Sequence, residues 1–219
     1  MLELALAARY PGTSEGEVAL RESAIAICTS HVRSNLSDKN IISRLCSPDQ
    51  NIYWQALSEV LAAYELGKIG FQPISGKDGP DLFIVHEGKR IWIEVICPEP
   101  ASIPECWLTR QPDTVYSLPH EAMLLRWTAA IKEKSEKLMG PRDDPAKGYL
   151  GKGRVAKEDS YVIAINGRLL RTVFPELEGV SQLPFAVEAT FSVGPNQITI
   201  NRETKEMIGT GSPASAKHS

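Results

Sequence analysis

The 219-residue sequence contains no apolar run long enough to cross a membrane, no close cysteine pair and no excess of basic charge. Each absence removes a class of function. Without an apolar stretch of about 20 residues, a membrane-spanning helix is not expected. The opening MLELALAARYPGTSEGE has neither a basic leading stretch nor a long apolar centre, so no secretory leader is expected and the expected location is cytoplasmic. Cysteines stand at 28, 46, 97 and 106 and histidines at 31, 86, 120 and 218, with no CxxC, HxxxH or Cys/His knuckle among them. A structural zinc site needs tighter pairs, and free thiols in a reducing compartment are expected instead. Lys and Arg number 24 against 27 Asp and Glu, for a formal net charge of −3. A surface coated in basic charge is thereby excluded, and any contact with nucleic acid must use a local strip. The GYLGKGR segment has the wrong spacing for a Walker A loop, and GxSxG is absent.

What is present is ordinary soluble-domain material, 42% hydrophobic and 23% charged. Val18, Ile25 and Cys28 give residues 16–30 a helical spacing. A clearer helix follows Ser47-Pro48-Asp49, carries the stripe Tyr53, Leu57, Val60, Leu61 and Tyr64, and stops at Gly67 and Gly70. DLFIV and RIWIEVIC read as two strands joined by HEGK, whose Gly suits a hairpin. A second long helix starts at Pro119 and stops at Gly140. YVIAIN reads as a buried strand, and FAVEATFSVGPNQITINRETKE as a closing hairpin turning at Gly194-Pro195-Asn196. The expected organisation is an N-terminal helical segment (1–45) packed on an α/β core (46–205), with a disordered tail (206–219).

Chemistry concentrates in GPDLFIVHEGKRIWIEVIC. Strand alternation puts Ile91, Ile93, Val95 and Cys97 on one face and Trp92, Glu94 and Ile96 on the other. Both faces are largely apolar, so the strand should be covered on both sides and Glu94 should lie inside. A buried carboxylate needs a partner. Asp81 opens the adjoining strand, and two acids converging at a strand end suit a hard divalent cation.

These residues resemble the signature of the PD-(D/E)XK nuclease superfamily: Pro-Asp, a turn, then (Asp/Glu)-x-Lys on the next strand. Pro80-Asp81 match the first element and Glu94-Val95 the start of the second, while Glu59 matches a Glu on the preceding helix. The resemblance covers roughly residues 50–166. It implies an α/β fold with a central mixed sheet flanked by helices, of restriction-endonuclease-like type. It also implies metal-dependent hydrolysis of nucleic-acid phosphodiesters, DNA favoured, with Asp81 and Glu94 holding Mg²⁺ or Mn²⁺ and Glu59 assisting through water. Many enzymes of this fold act as homodimers, so a dimer comes with the resemblance.

One motif position departs: the family lysine should stand at 96, and the residue there is Ile96. Some family members supply the amine from the following helix. There, Met123, Trp127, Ala130, Lys134 and Leu138 form one ridge, and Lys134 interrupts an otherwise apolar line. Lys134 is therefore the expected catalytic amine, with Lys77 and Lys89 as weaker alternatives. Arg126 and Lys137 flank the ridge on its polar side. The stretch AKGYLGKGRVAK brings Lys147, Lys152, Arg154 and Lys157 with no acid among them. Its glycines suggest flexibility, its cations a grip on phosphates, and Tyr149 a stacking surface for a base. The alternative reading is a catalytically silent member of the fold that binds nucleic acid or protein. A third is an unrelated α/β protein in which Asp81 and Glu94 only cap a turn and hold a salt bridge.

Overall fold

The computed structural model describes residues 1–34, 36, 38–109, 114–115, 117–170, 183–191 and 197–211. Its first helices are α1 (Leu2–Arg9), α2 (Glu15–Arg33), α3 (Ile41–Leu45) and α4 (Gln50–Lys68). Strands β1 (Ile74–Ser75), β2 (Leu82–His86) and β3 (Lys89–Ile96) follow, then α5 (Glu105–Leu108), α6 (His120–Met139) and β4 (Ser160–Ile165). Helix α7 (Phe185–Phe191) and strands β5 (Gln197–Ile200) and β6 (Met207–Gly211) complete the described chain. Contacts group it into two compact units, Met1–Cys97 with Glu133–Asn166, and Pro98–Lys132 with Gly167–Ser219. The boundary falls within α6, so the grouping differs from a core running unbroken over 46–205.

In the first unit the sheet order is β1-β2-β3-β4, antiparallel except for the parallel β3–β4 pair. The architecture is mixed α/β, a four-stranded mixed sheet flanked by helices. Helix α4 begins where the Asp49 carboxylate accepts from the Asn51 and Ile52 amides, an N-cap that satisfies free backbone donors. Its inner face carries Tyr53, Leu57 and Val60 into a cluster with Leu6, Cys28, Ile41 and Leu45 from α1–α3. The Tyr10 and Tyr53 hydroxyls share a 2.7 Å hydrogen bond, and the Arg9 guanidinium lies over the Tyr53 ring. Ala63, farther along α4, packs with Leu82, Ile84, Ile93 and Val95 on one face of the sheet. Trp92, Glu94 and Ile96 alternate onto the other face and are also buried, as the two-sided pattern of β3 requires.

In the second unit Trp127 of α6 stacks on Phe185 of α7 (6.3 Å between centroids), and His120 Nε2 lies 2.6 Å from Glu188 Oε2. The expectation of strand for FAVEATF is corrected here. Phe185, Glu188 and Ala189 are the buried residues of the segment, and their three- and four-residue spacing is helical. The closing hairpin instead turns over residues 201–206 between β5 and β6. The turn expected at Gly194-Pro195-Asn196 lies outside the described residues. Met207–Gly211, within the segment expected to be a disordered tail, is a strand paired with β5, and residues 212–219 lie outside the described residues.

Candidate functional site

The site starts from a turn. Glu87 (φ 50°) and Gly88 (φ 75°) both adopt positive φ between β2 and β3, the signature of a two-residue type I′ hairpin. That turn sets the register His86↔Lys89 through Leu82↔Ile93, so the next pair outward places Asp81 across from Glu94. Asp81 Oδ2 accepts from the Val95 amide at 2.7 Å, which ties the acid to the strand it faces. Burial pushes the Asp81 carboxyl up to about 6, and the Glu94 and Glu59 charges push the same way. The Val95 amide and the Lys134 charge only partly offset this. Asp81 also lines a pocket of about 240 Å³ with Asp38, Glu59, His31 and Lys77.

Glu94 is 1% exposed. Its Oε1 accepts from Lys134 Nζ at 3.1 Å and from Lys137 Nζ at 2.9 Å. Among the described residues its Oε2 is buried and accepts no hydrogen bond of normal geometry, and the Tyr149 phenol is the nearest further donor to this carboxylate. Lys134 occupies the same ridge of α6 as the buried Met123, Trp127 and Ala130, and is itself buried. It turns inward to Glu94 instead of extending its stem to solvent, with the exposed Glu133 carboxylate 3.6 Å from its amine. The Tyr161 hydroxyl donates to the Lys134 carbonyl at 3.1 Å, fixing this turn of the helix against β4.

Lys137 was read as a flanking residue, and the structure brings it into the carboxylate's coordination. The signal was available: 134 and 137 are three residues apart and share a helix face. Burial is the largest single influence on Lys137 and lowers its pKa, but the hydrogen bonds to Glu94 and Lys134 and the Glu94 charge together raise it. The half-buried Tyr149 phenol is raised by burial first and then by the Glu94 charge. Ile96, at the family's lysine position, is buried and pairs with Ile165 of β4.

Glu59 has a different engagement from the one expected. Arg44 Nη1 and Nη2 reach its two oxygens at 3.0 and 2.6 Å, and Gln55 Nε2 donates to Oε1 at 3.0 Å. Both oxygens meet protein donors, so Glu59 clasps α3 to α4 while it also lines the pocket that holds Asp81. Arg126 donates to the Glu99 carbonyl at 2.8 Å in the second unit. In the 146–157 stretch Lys147 pairs with Asp144 and Arg154 lies 3.5 Å from Asp78, while Lys152 and Lys157 are exposed. Gly148 and Gly151 there are tightly seated, while Gly153, at positive φ, has open space around it. A Cβ on Gly148 would collide with the backbone of Leu138, Met139 and Gly140, and the amides of Tyr149 and Leu150 donate to the carbonyls of Lys137 and Leu138. The loop is bound to the end of α6.

Among the described residues no three metal-ligating side chains cluster. Asp81 and Glu94 would therefore be the whole protein contribution to a cation. Mg²⁺ accepts such a site, since it keeps several waters and uses one or two carboxylates plus substrate oxygens. The orphaned Glu94 Oε2 and the raised Asp81 carboxyl are the two features here that a cation would relieve. Comparison of the chain with protein-family models, curated proteins and solved structures finds no match.

Proposed function

We propose that this chain is a metal-dependent nuclease of restriction-endonuclease-like fold that hydrolyses phosphodiester bonds, with DNA as the favoured substrate. The observation that carries the reading is the Lys134–Glu94 contact of 3.1 Å, made inside the protein and across from Asp81. A buried ammonium on a strand acid, delivered by the following helix, is the arrangement that the Ile96 departure requires.

In this reading Asp81 and Glu94 hold Mg²⁺ or Mn²⁺, whose bound form lowers the pKa of water and stabilises negative charge on phosphate. Asp81 is positioned by the Val95 amide and is reached from its own pocket. Lys134 orients Glu94 and supplies the opposite charge that a carboxylate this buried requires. The apolar surroundings of Glu94 limit water, which strengthens each charge interaction inside the site.

The test is a cleavage assay on DNA and RNA substrates with Mg²⁺ or Mn²⁺ and an EDTA control, comparing wild type with Asp81→Ala and Lys134→Ala. Metal-dependent cleavage that is lost in both variants is the expected result. A second reading rests on the same Ile96 and on the sparse ligand set. It is a catalytically silent member of the fold that binds nucleic acid or protein, and a well-folded wild type that cleaves nothing would select it.

A further inference from the structure

Two ammonium groups converge on one oxygen of Glu94, and they are not equivalent. The Lys134 side chain is 7% exposed and the Lys137 side chain 43%. Lys134 already supplies the buried partner that Glu94 needs. A half-exposed lysine adds little to stability through such a pair, because it gives up side-chain freedom and is screened by solvent. Its backbone is nevertheless held firmly, since the Tyr149 amide donates to the Lys137 carbonyl at 2.9 Å and Tyr149 itself is half-buried near Glu94. The result is a lysine with an anchored backbone and a half-exposed side chain, whose amine reaches a buried carboxylate that Lys134 already pairs. Lys137 lies off the apolar line, one helical turn beyond Lys134.

Resting on the nuclease reading, we infer that the two lysines divide the work: Lys134 positions Glu94 from within, and Lys137 is the amine that contacts a backbone phosphate of the bound DNA. Lys137 exchanges its Glu94 contact for a phosphate oxygen when substrate enters, while Lys134 stays buried. Lys137 is thus the substrate-contacting lysine and Lys134 a positioning residue. A lysine at a phosphate acts as a point charge, so arginine should substitute for it better than any neutral side chain does.

The experiment measures binding of a short fluorescein-labelled DNA duplex by anisotropy, with Ca²⁺ in place of Mg²⁺, across a salt series. The full-length wild type is compared with Lys137→Ala, Lys137→Arg and Lys134→Ala, and urea midpoints are recorded for all four. Loss of one phosphate contact should lower the slope of log K against log salt by about 0.9. Lys137→Ala is expected to show that loss with a near wild-type urea midpoint, and Lys137→Arg to restore the slope. Lys134→Ala is expected to lower the midpoint. An unchanged slope in Lys137→Ala overturns the inference. So does a fall in its midpoint as large as that of Lys134→Ala, which would make both lysines structural. Failure of the wild type to cleave DNA in a parallel Mn²⁺ assay would count against the nuclease reading alone, since the slope comparison is scored without turnover.

Discussion

Glu59 and Glu94, both in the first unit, meet positive charge in opposite ways. Glu59 is held by a forked arginine and an amide so that both oxygens are occupied. Glu94 receives two lysines on one oxygen and none on the other, although it is the more deeply buried of the two. Arg–carboxylate pairing of the first kind is a matched, closed unit. The second kind is open: a buried acceptor is left unsatisfied, at a cost that folding alone would not retain. The difference separates a clasp that joins helices from a buried acid with one oxygen left open, the acid that the proposed function assigns to a cation.

Removing Lys134 should break the open site most. Lys134→Met leaves Glu94 buried with only the rim lysine, and the expected loss is about 3 kcal/mol, near the low end for a buried pair broken on one side. Urea unfolding measures it, and adding Glu94→Gln to the same chain should recover most of it. A double variant no more stable than Lys134→Met would mean that Glu94 does not depend on that amine.

Asp81→Asn should act in the reverse direction. The Asp81 carboxyl titrates near 6 in the folded chain, above the ordinary aspartate value of about 3.9. Between those values the folded state binds more protons than the unfolded one, so this residue makes stability fall as pH rises through the window. Its cost is complete above about pH 6 and absent below about pH 4. Asn, which carries no charge, should therefore raise stability by on the order of 2 kcal/mol at neutral pH. Thermal melts at pH 4 and pH 7 check the sign: the advantage of Asn must shrink as pH falls. The same variant should lose cleavage, since the acid that costs stability is the one assigned to the metal.

The closed clasp should answer more weakly and without functional consequence. Glu59→Gln is expected to cost about 1–2 kcal/mol through the lost charge-assisted bonds to Arg44, read from urea midpoints, with cleavage retained. The smallest effect is expected from Lys152→Ala on the exposed loop: stability within about 0.5 kcal/mol of wild type. DNA affinity should weaken there only if that side chain touches phosphate, as anisotropy would show.

The parts of this arrangement readable in the sequence were those carried by short, stiff rules. HEGK fixes a two-residue hairpin, and that register alone sets Asp81 across from Glu94. Alternation along RIWIEVIC places Glu94 inside, and the ridge through Met123, Trp127 and Ala130 singles out Lys134, although a buried stem with the amine at the surface fits that ridge as well. The rest depended on packing between distant segments. Arg44, which closes on Glu59, lies 15 residues upstream on a separate short helix, and nothing local announces that pair. Gly148 looked like a source of slack because its tight seat against the end of α6 is a tertiary fact. FAVEATF carries aromatic and β-branched residues that suit a strand, and its helix shows in the three- and four-residue spacing of the buried Phe185, Glu188 and Ala189.

The most direct test of the central claim is Mn²⁺ binding, followed by calorimetry or by loss of the free-ion electron paramagnetic resonance signal, in wild type, Asp81→Asn, Glu94→Gln and Glu59→Gln. The open-site account predicts binding that is abolished in the first two variants and kept in the third. Equal binding in all four proteins, or none in the wild type, would contradict it.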